Sequence, residues 1–156
     1  MPSQKYLVNT QFASTAIQNK WEPLLANAQL KKWIKAACKL PFEFTLRLVN
    51  AKEGLALNQA YRDGDHATNI LTFSLNDEDS DLTKDTILAD FVFCMPVIEK
   101  EAKAQGKEVL HHFIHLLVHG VLHAQGFDHE DPIEAEAMEA LEIAILHRLK
   151  LENPYI

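Results

Sequence analysis

Cysteine is scarce in this chain. Cys38 and Cys94 are the only two among 156 residues, far apart and in no C-x-x-C pair. That excludes a disulfide scaffold and a thiolate zinc cluster. Two unclustered thiols suit a reducing cytosol and serve as small buried apolar residues. Long hydrophobic runs are missing as well. None approaches the roughly 20 residues of a membrane helix, and Met1 to Phe12 has neither the basic start nor the apolar centre of a secretory signal. A cytoplasmic location without a membrane partner is expected. Positive charge is also short, with 15 Lys and Arg against 22 Asp and Glu and a net charge of −7. Nucleic-acid proteins usually carry a basic footprint, so this balance counts against such a ligand unless a local patch and a bound cation supply the charge. Repeats, low-complexity tracts and domain boundaries are absent. With 47% apolar and 24% charged residues, the chain has the balance of a single domain, 1–156, with a real core.

Histidine is present at informative spacing. His119 and His123 stand four apart in an apolar stretch, and His129 follows with Gly126 between. On a helix, residues four apart differ by about 40° in azimuth and about 6 Å along the axis, so both imidazoles point the same way. A glycine after the helix can adopt a left-handed conformation and fold the chain back, which would bring His129 to an ion held by the other two. Three neutral imidazoles with an open fourth position describe a catalytic zinc site holding one ion. Zinc peptidases with H-E-x-x-H place a glutamate general base after the first histidine. Here that position is Gly120. The ligand frame is kept without the peptidase base, which points to a different hydrolase.

The remaining chain reads as alternating elements. Tyr6–Phe12 is a strand, 13–22 a loop, and a helix opens near Pro23 and stops before Pro41. In 42–49 the apolar residues Phe42, Phe44, Leu46 and Leu48 alternate with polar ones, a strand with one apolar face that leaves Arg47 a solvated charge. A helix spans Ala51–Arg62, with Leu55, Leu57 and Tyr61 as core candidates, followed by a strand over 68–73. The acidic stretch 76–84 lacks the Gly and Glu of a calcium loop and reads as a solvated connection. A strand over 86–94, interrupted by Asp90, leads to a helix from Pro96 that Gly106 terminates. The zinc helix, about 108–124, is apolar over so much of its circumference that it should be the buried central helix. His115, and less so His111, is an outer metal or substrate contact or a hydrogen-bonded structural histidine; His112 and His147 read as surface residues. Asp131 and Pro132 start the last helix, which runs to about Lys150. Its buried face is expected from Ile133, Ala137, Leu141, Ala144, Ile145 and Leu149. Its glutamates, Glu142 included, form a solvated face, and Met138 packs in the core. The fold class is α+β: a small mixed sheet of about four strands packed by helices around the metal-bearing one, zincin-like in outline.

Taken together, these residues resemble the YbeY family of bacterial metal-dependent endoribonucleases. The resemblance covers most of the chain. It rests on Leu57-Asn58-x-x-Tyr61-Arg62-x-x-Asp65-x-x-Thr68-Asn69-Ile70-Leu71, on Asp90, on Glu101-Ala102-x-x-Gln105-Gly106, and on the run from His115 to His129. It implies zinc held by His119, His123 and His129, a role for Arg62, and participation in ribosomal RNA maturation and ribosome quality control. The partners implied are single-stranded and ribosomal RNA and the ribosome or its small subunit, with no DNA. The chain departs from the family at Phe127, where Tyr is usual, at Ala67 (Pro) and at Ala89 (Gly). Only Phe127 bears on the site, through one missing hydroxyl.

The expected function is a single-strand-specific, zinc-dependent endoribonuclease in small-subunit ribosomal RNA 3′-end maturation. Arg62 would match phosphate oxygens with two donors; its alternative is a salt bridge to Asp63, Asp65 or Asp90. Asp128 would orient an imidazole or water, or cap the turn before His129. His115 and Asp128 are the nearby groups able to move a proton. Two rivals stand beside this reading: a zinc hydrolase of amides or small molecules, and a non-catalytic ribosome-assembly factor with structural zinc. The latter needs a fourth protein ligand, and the sequence offers no obvious one.

Overall fold

The alternation at 42–49 creates β2 (Phe42–Val49), which buries Phe42, Phe44, Leu46 and Leu48 on one face. The other elements assemble around it. A computed structural model describes residues 5–62, 64, 67–76, 86–127 and 131–155. The other strands are β1 (Tyr6–Phe12), β3 (Ile70–Ser74) and β4 (Ile87–Cys94). The sheet order is β1-β2-β4-β3, with β1, β2 and β4 parallel and β3 antiparallel along the edge of β4. A parallel sheet needs cover on both faces. Helices α1 (Thr15–Trp21), α2 (Asn27–Ala37), α5 (Val109–Ala124) and α6 (Pro132–Arg148) belong with the large core built on Phe42, Phe44, Phe91 and Phe93. Helix α3 (Ala51–Arg62) packs over Val49, Leu71, Val92 and Cys94 on the opposite face, and α4 (Met95–Gln105) joins β4 to α5. The architecture is therefore α+β with a four-stranded mixed sheet, consistent with a zincin-like outline.

Five sequence expectations change here. The stretch 13–22 is not a loop: it carries α1, capped by the Ser14 hydroxyl accepting from the Ile17 amide at 3.2 Å and anchored by buried Trp21. Pro23 lies in a short 3-10 turn, and α2 begins only at Asn27. Tyr61 of α3 is 66% exposed rather than core, because α3 approaches the sheet through Gly54, where a Cβ would lie 2.8 Å from Cys94 Sγ. In α6 the buried residues are Met138, Glu142, Ile145 and Leu146, whereas Ile133 is 81% exposed. Apolar residues occur on all sides of this helix, so its periodicity did not single out the face that packs. Arg47 is also more than a solvated charge, since its guanidinium grips Glu53 at 2.6 and 3.0 Å.

Helix α5 lies where its composition put it, buried along most of its circumference. It presses on the sheet at Gly120. A Cβ there would sit 2.9 Å from Ile70 Cδ1 and 3.1 Å from the Phe91 ring. The position that carries a glutamate in H-E-x-x-H peptidases has no room for one.

Candidate metal centre

Helix α5 ends in a left-handed turn at Gly126, with φ 98°. The Gly126 amide donates to His123 O at 2.9 Å and the Phe127 amide to Leu122 O at 3.2 Å, the paired bonds of a Schellman stop. The chain thus turns back immediately after His123, where the sequence required it. His129 and Asp128, the third ligand and its neighbour, lie outside the described residues. Arg62 closes α3, and its side chain lies outside them as well. Among the described residues no group of three His, Cys, Asp or Glu side chains is placed to hold an ion.

The two remaining ligand candidates do meet. His119 Nε2 and His123 Nε2 are 3.0 Å apart. The two rings share a hydrogen bond at this distance, close to the roughly 3.3 Å between two nitrogens on one tetrahedral zinc with bonds of about 2.0–2.1 Å, so a small parting of the rings would admit a shared cation. On its other side, the His119 ring places Nδ1 2.8 Å from Glu142 Oε1. A carboxylate only accepts, so Nδ1 carries the proton and Nε2 is the basic nitrogen facing His123. A ligand histidine held by a carboxylate in this way keeps one tautomer and gains basicity. These two imidazoles are donors suited to a divalent cation.

Glu142 was expected on the solvated face of α6. It is 1% exposed. Burial pushes its carboxyl up, but hydrogen bonds from His115, His119 and Tyr155, with the charge of His119, outweigh that and hold it down at about 2. The Tyr155 hydroxyl donates to Oε2 at 2.7 Å, and His115 Nε2 lies 3.3 Å from Oε1. Burial raises the Tyr155 hydroxyl, and the hydrogen bond to Glu142 and the charges of Glu142 and Glu139 raise it further. Neither Glu142 nor Tyr155 stood out in the sequence. Glu142 shares its helix with three other glutamates, and nothing local marks it as inward-facing. The available signal was its fourfold spacing with buried Met138 and its place one residue from Leu141.

His115 lies against this carboxylate and against the Tyr155 ring, with centroids 5.4 Å apart. Its Nε2 thus faces Glu142 and Tyr155, in an outer layer around the two imidazoles. His112, expected on the surface, is 4% exposed and meets Glu101 Oε1 at 2.9 Å. Asn69 donates to the same carboxylate at 3.1 Å. Helix α4 faces this side of α5, which sequence periodicity alone did not indicate. His111 pairs with Glu108 at 3.2 Å and is half exposed. Phe127 is 44% exposed beside the turn. A cavity of about 700 Å³ opens beside His111, His112 and His115, between the α4–α5 turn and residues 150–154. No described helix is long and apolar enough to cross a membrane.

Comparison with known proteins places the chain in a family. A family model described as endoribonuclease YbeY matches residues 7–150. A protein named Endoribonuclease YbeY from Herminiimonas arsenicoxydans is 48% identical over 100% of this chain and 99% of its own length. Its namesake from Polynucleobacter asymbioticus is 49% identical over 99% of this chain and 96% of its own. The solution structure of TM1509 from Thermotoga maritima shares the fold, with a TM-score of 0.57 at 22% identity over 92% of both chains.

Proposed function

Since the chain belongs to the endoribonuclease YbeY family, a family of enzymes that hydrolyse RNA phosphodiester bonds, we propose that it is a zinc-dependent endoribonuclease specific for single strands, acting in the cytoplasm as one catalytic domain in small-subunit ribosomal RNA 3′-end maturation. The observation that carries the metal assignment is the facing pair of His119 and His123 Nε2 atoms, 3.0 Å apart, with the first ring tied to a buried carboxylate. His129, following the Gly126 turn, is the third ligand in this reading. Bound zinc supplies Lewis acidity and lowers the pKa of a coordinated water to about 7.

The chain's own groups do the rest. His119 and His123 present neutral imidazoles on one helix face, and Glu142 holds the first in its tautomer. Arg62 places a planar guanidinium against non-bridging phosphate oxygens, where negative charge gathers in the transition state. Asp128 stays as the proton-handling or orienting group beside His129. His115 contributes from the outer layer, since its Nε2 already faces Glu142 and Tyr155. Single strands fit because their backbone can bend towards one cation.

The test is metal analysis followed by incubation of zinc-loaded protein with defined single-stranded RNA, duplex RNA and a peptide library. Selective cleavage of the single strand supports the reading, and His123→Ala should lose both zinc and cleavage. Cutting of peptides instead of RNA would move the assignment to an amide hydrolase. Full RNA cleavage by zinc-free protein would overturn the metal assignment. Product ends then identify the nucleophile, because a cyclic phosphate requires attack by the neighbouring 2′-hydroxyl.

A further inference from the structure

After α6 the chain reverses at Lys150, the one non-glycine residue with positive φ among those described, at 65°. The Lys150 amide donates to His147 O at 2.9 Å and the Leu151 amide to Leu146 O at 2.9 Å, so the reversal is itself a Schellman stop made without glycine. The residues that follow run back over α5 as a strap. Asn153 Oδ1 accepts from the Tyr155 amide at 2.8 Å. Lys107, in the turn between α4 and α5, donates to Pro154 O at 2.7 Å. These fixings deliver one side chain inward: the Tyr155 hydroxyl reaches Glu142 Oε2 at 2.7 Å, while Glu142 Oε1 faces His119 Nδ1 at 2.8 Å.

We propose that Tyr155 is a positioning residue of the metal centre: through Glu142, the strap over 151–155 holds the His119 ring in the Nδ1–H tautomer, with Nε2 turned to the cation. This rests on the zinc reading above for its consequence, though not for the tautomer itself. The physical reason is that a carboxylate with one anchored oxygen cannot rotate freely. Tyr155 occupies Oε2, which leaves Oε1 to His119 at 2.8 Å, with His115 farther off at 3.3 Å. A left-handed backbone at Lys150 is unfavourable for a residue with a Cβ. Such a turn persists where its surroundings over-determine it, and here it directs the strap onto the site.

The test uses Tyr155→Phe, which keeps the ring packed edge-on against His115 but removes the hydroxyl from Glu142 and His115, and Lys107→Met, which removes the strap's bond at Pro154 O and loosens the hold on an unaltered Tyr155 side chain. Two-bond proton–nitrogen spectra of the metal-free, nitrogen-15-labelled protein report the His119 tautomer directly. The wild type should show Nδ1 protonated. Both variants should move its two ring nitrogens towards the shifts of a mixed population. Unchanged ring shifts in two folded variants overturn the proposal, and should Tyr155→Phe fail to fold, Lys107→Met decides alone. Zinc affinity, measured by competition with a chromophoric chelator, is the second readout. Loss of an outer partner of a ligand histidine weakens binding about 10–100-fold, so removal of a group one bond further out should weaken it about threefold or more. Wild-type affinity in both variants also overturns the proposal. A wild type that binds no zinc refutes the zinc reading instead, and the ring spectra then decide the role of Tyr155 by themselves.

Discussion

Glu142 accepts from three donors, two on α5 and one on the strap, with 1% of its side chain exposed. Its carboxyl is held at about 2 against an ordinary 4.5. Between those values the unfolded chain binds a proton that the folded protein refuses. The stability this contributes is therefore complete above about pH 4.5 and is lost as the pH falls towards 2. In metal-free protein at pH 6, Glu142→Gln should be less stable than wild type by about 1.5–3 kcal/mol, the scale of hydrogen bonds to a charged group. Denaturant titrations should show that gap narrowing by pH 3, and a constant gap would contradict a depressed carboxyl. Gly120 poses the opposite problem, of space. Alanine gains about 0.5–1 kcal/mol of helix propensity there, but its methyl meets the Ile70 tip and the buried Phe91 ring. Overpacking of this kind costs about 1–3 kcal/mol, so Gly120→Ala should be destabilised by about 1 kcal/mol in thermal unfolding. A variant as stable as wild type would mean that the sheet yields.

Among the elements, those whose pattern was carried by local chemistry were legible in advance. Strand β2 alternates cleanly, α3 was read with its observed bounds, and the Asp131 cap with Pro132 opens α6 as its sequence indicates, Asp131 Oδ1 accepting from the Glu134 amide at 2.8 Å. Helix α1 was missed because its apolar contacts, Ile17 and Trp21, are separated by polar residues and its polarity resembles a loop. On α6, Met138 and Ile145 are buried and Leu141 and Leu149 pack against the core as their spacing indicates, but Ile133 is exposed and a glutamate, Glu142, sits in the middle of the buried face. The reversal at Lys150 carries its own prediction. Glycine adopts that φ without a Cβ penalty, so Lys150→Gly should raise stability by about 1 kcal/mol in denaturant unfolding, with the strap retained. Destabilisation would show that the Lys150 side chain holds the turn by contacts of its own.

For the whole molecule, the core is a packed sheet face built on Phe42, Phe44, Phe91, Phe93 and Phe113, none of which needs an ion. Chelation should abolish RNA cleavage yet leave a cooperatively unfolding domain, as followed by circular dichroism. Melting on chelation would favour a structural metal and the assembly-factor reading. The net charge of −7 gives no long-range attraction to a polyanion. Binding should therefore rely on a few contacts near the cation. Against the logarithm of salt concentration, the logarithm of affinity for single-stranded RNA should fall with a slope of about −3 or shallower, at about 0.7 per phosphate neutralised. A steep slope would reveal a basic surface that the composition conceals.

Spacing along one helix was enough to face His119 towards His123, because four residues nearly complete a turn and helical geometry is local. The same holds for the stop at Gly126, where only a residue without Cβ adopts that backbone cheaply. Which glutamate would support the first imidazole was settled only by packing. Glu142 lies 23 positions from His119, and Tyr155 a further 13 from Glu142. No periodicity in the chain connects them. They meet because α6 packs against α5 and the strap returns to both, and burial then makes an ordinary carboxylate the fixed acceptor of the site.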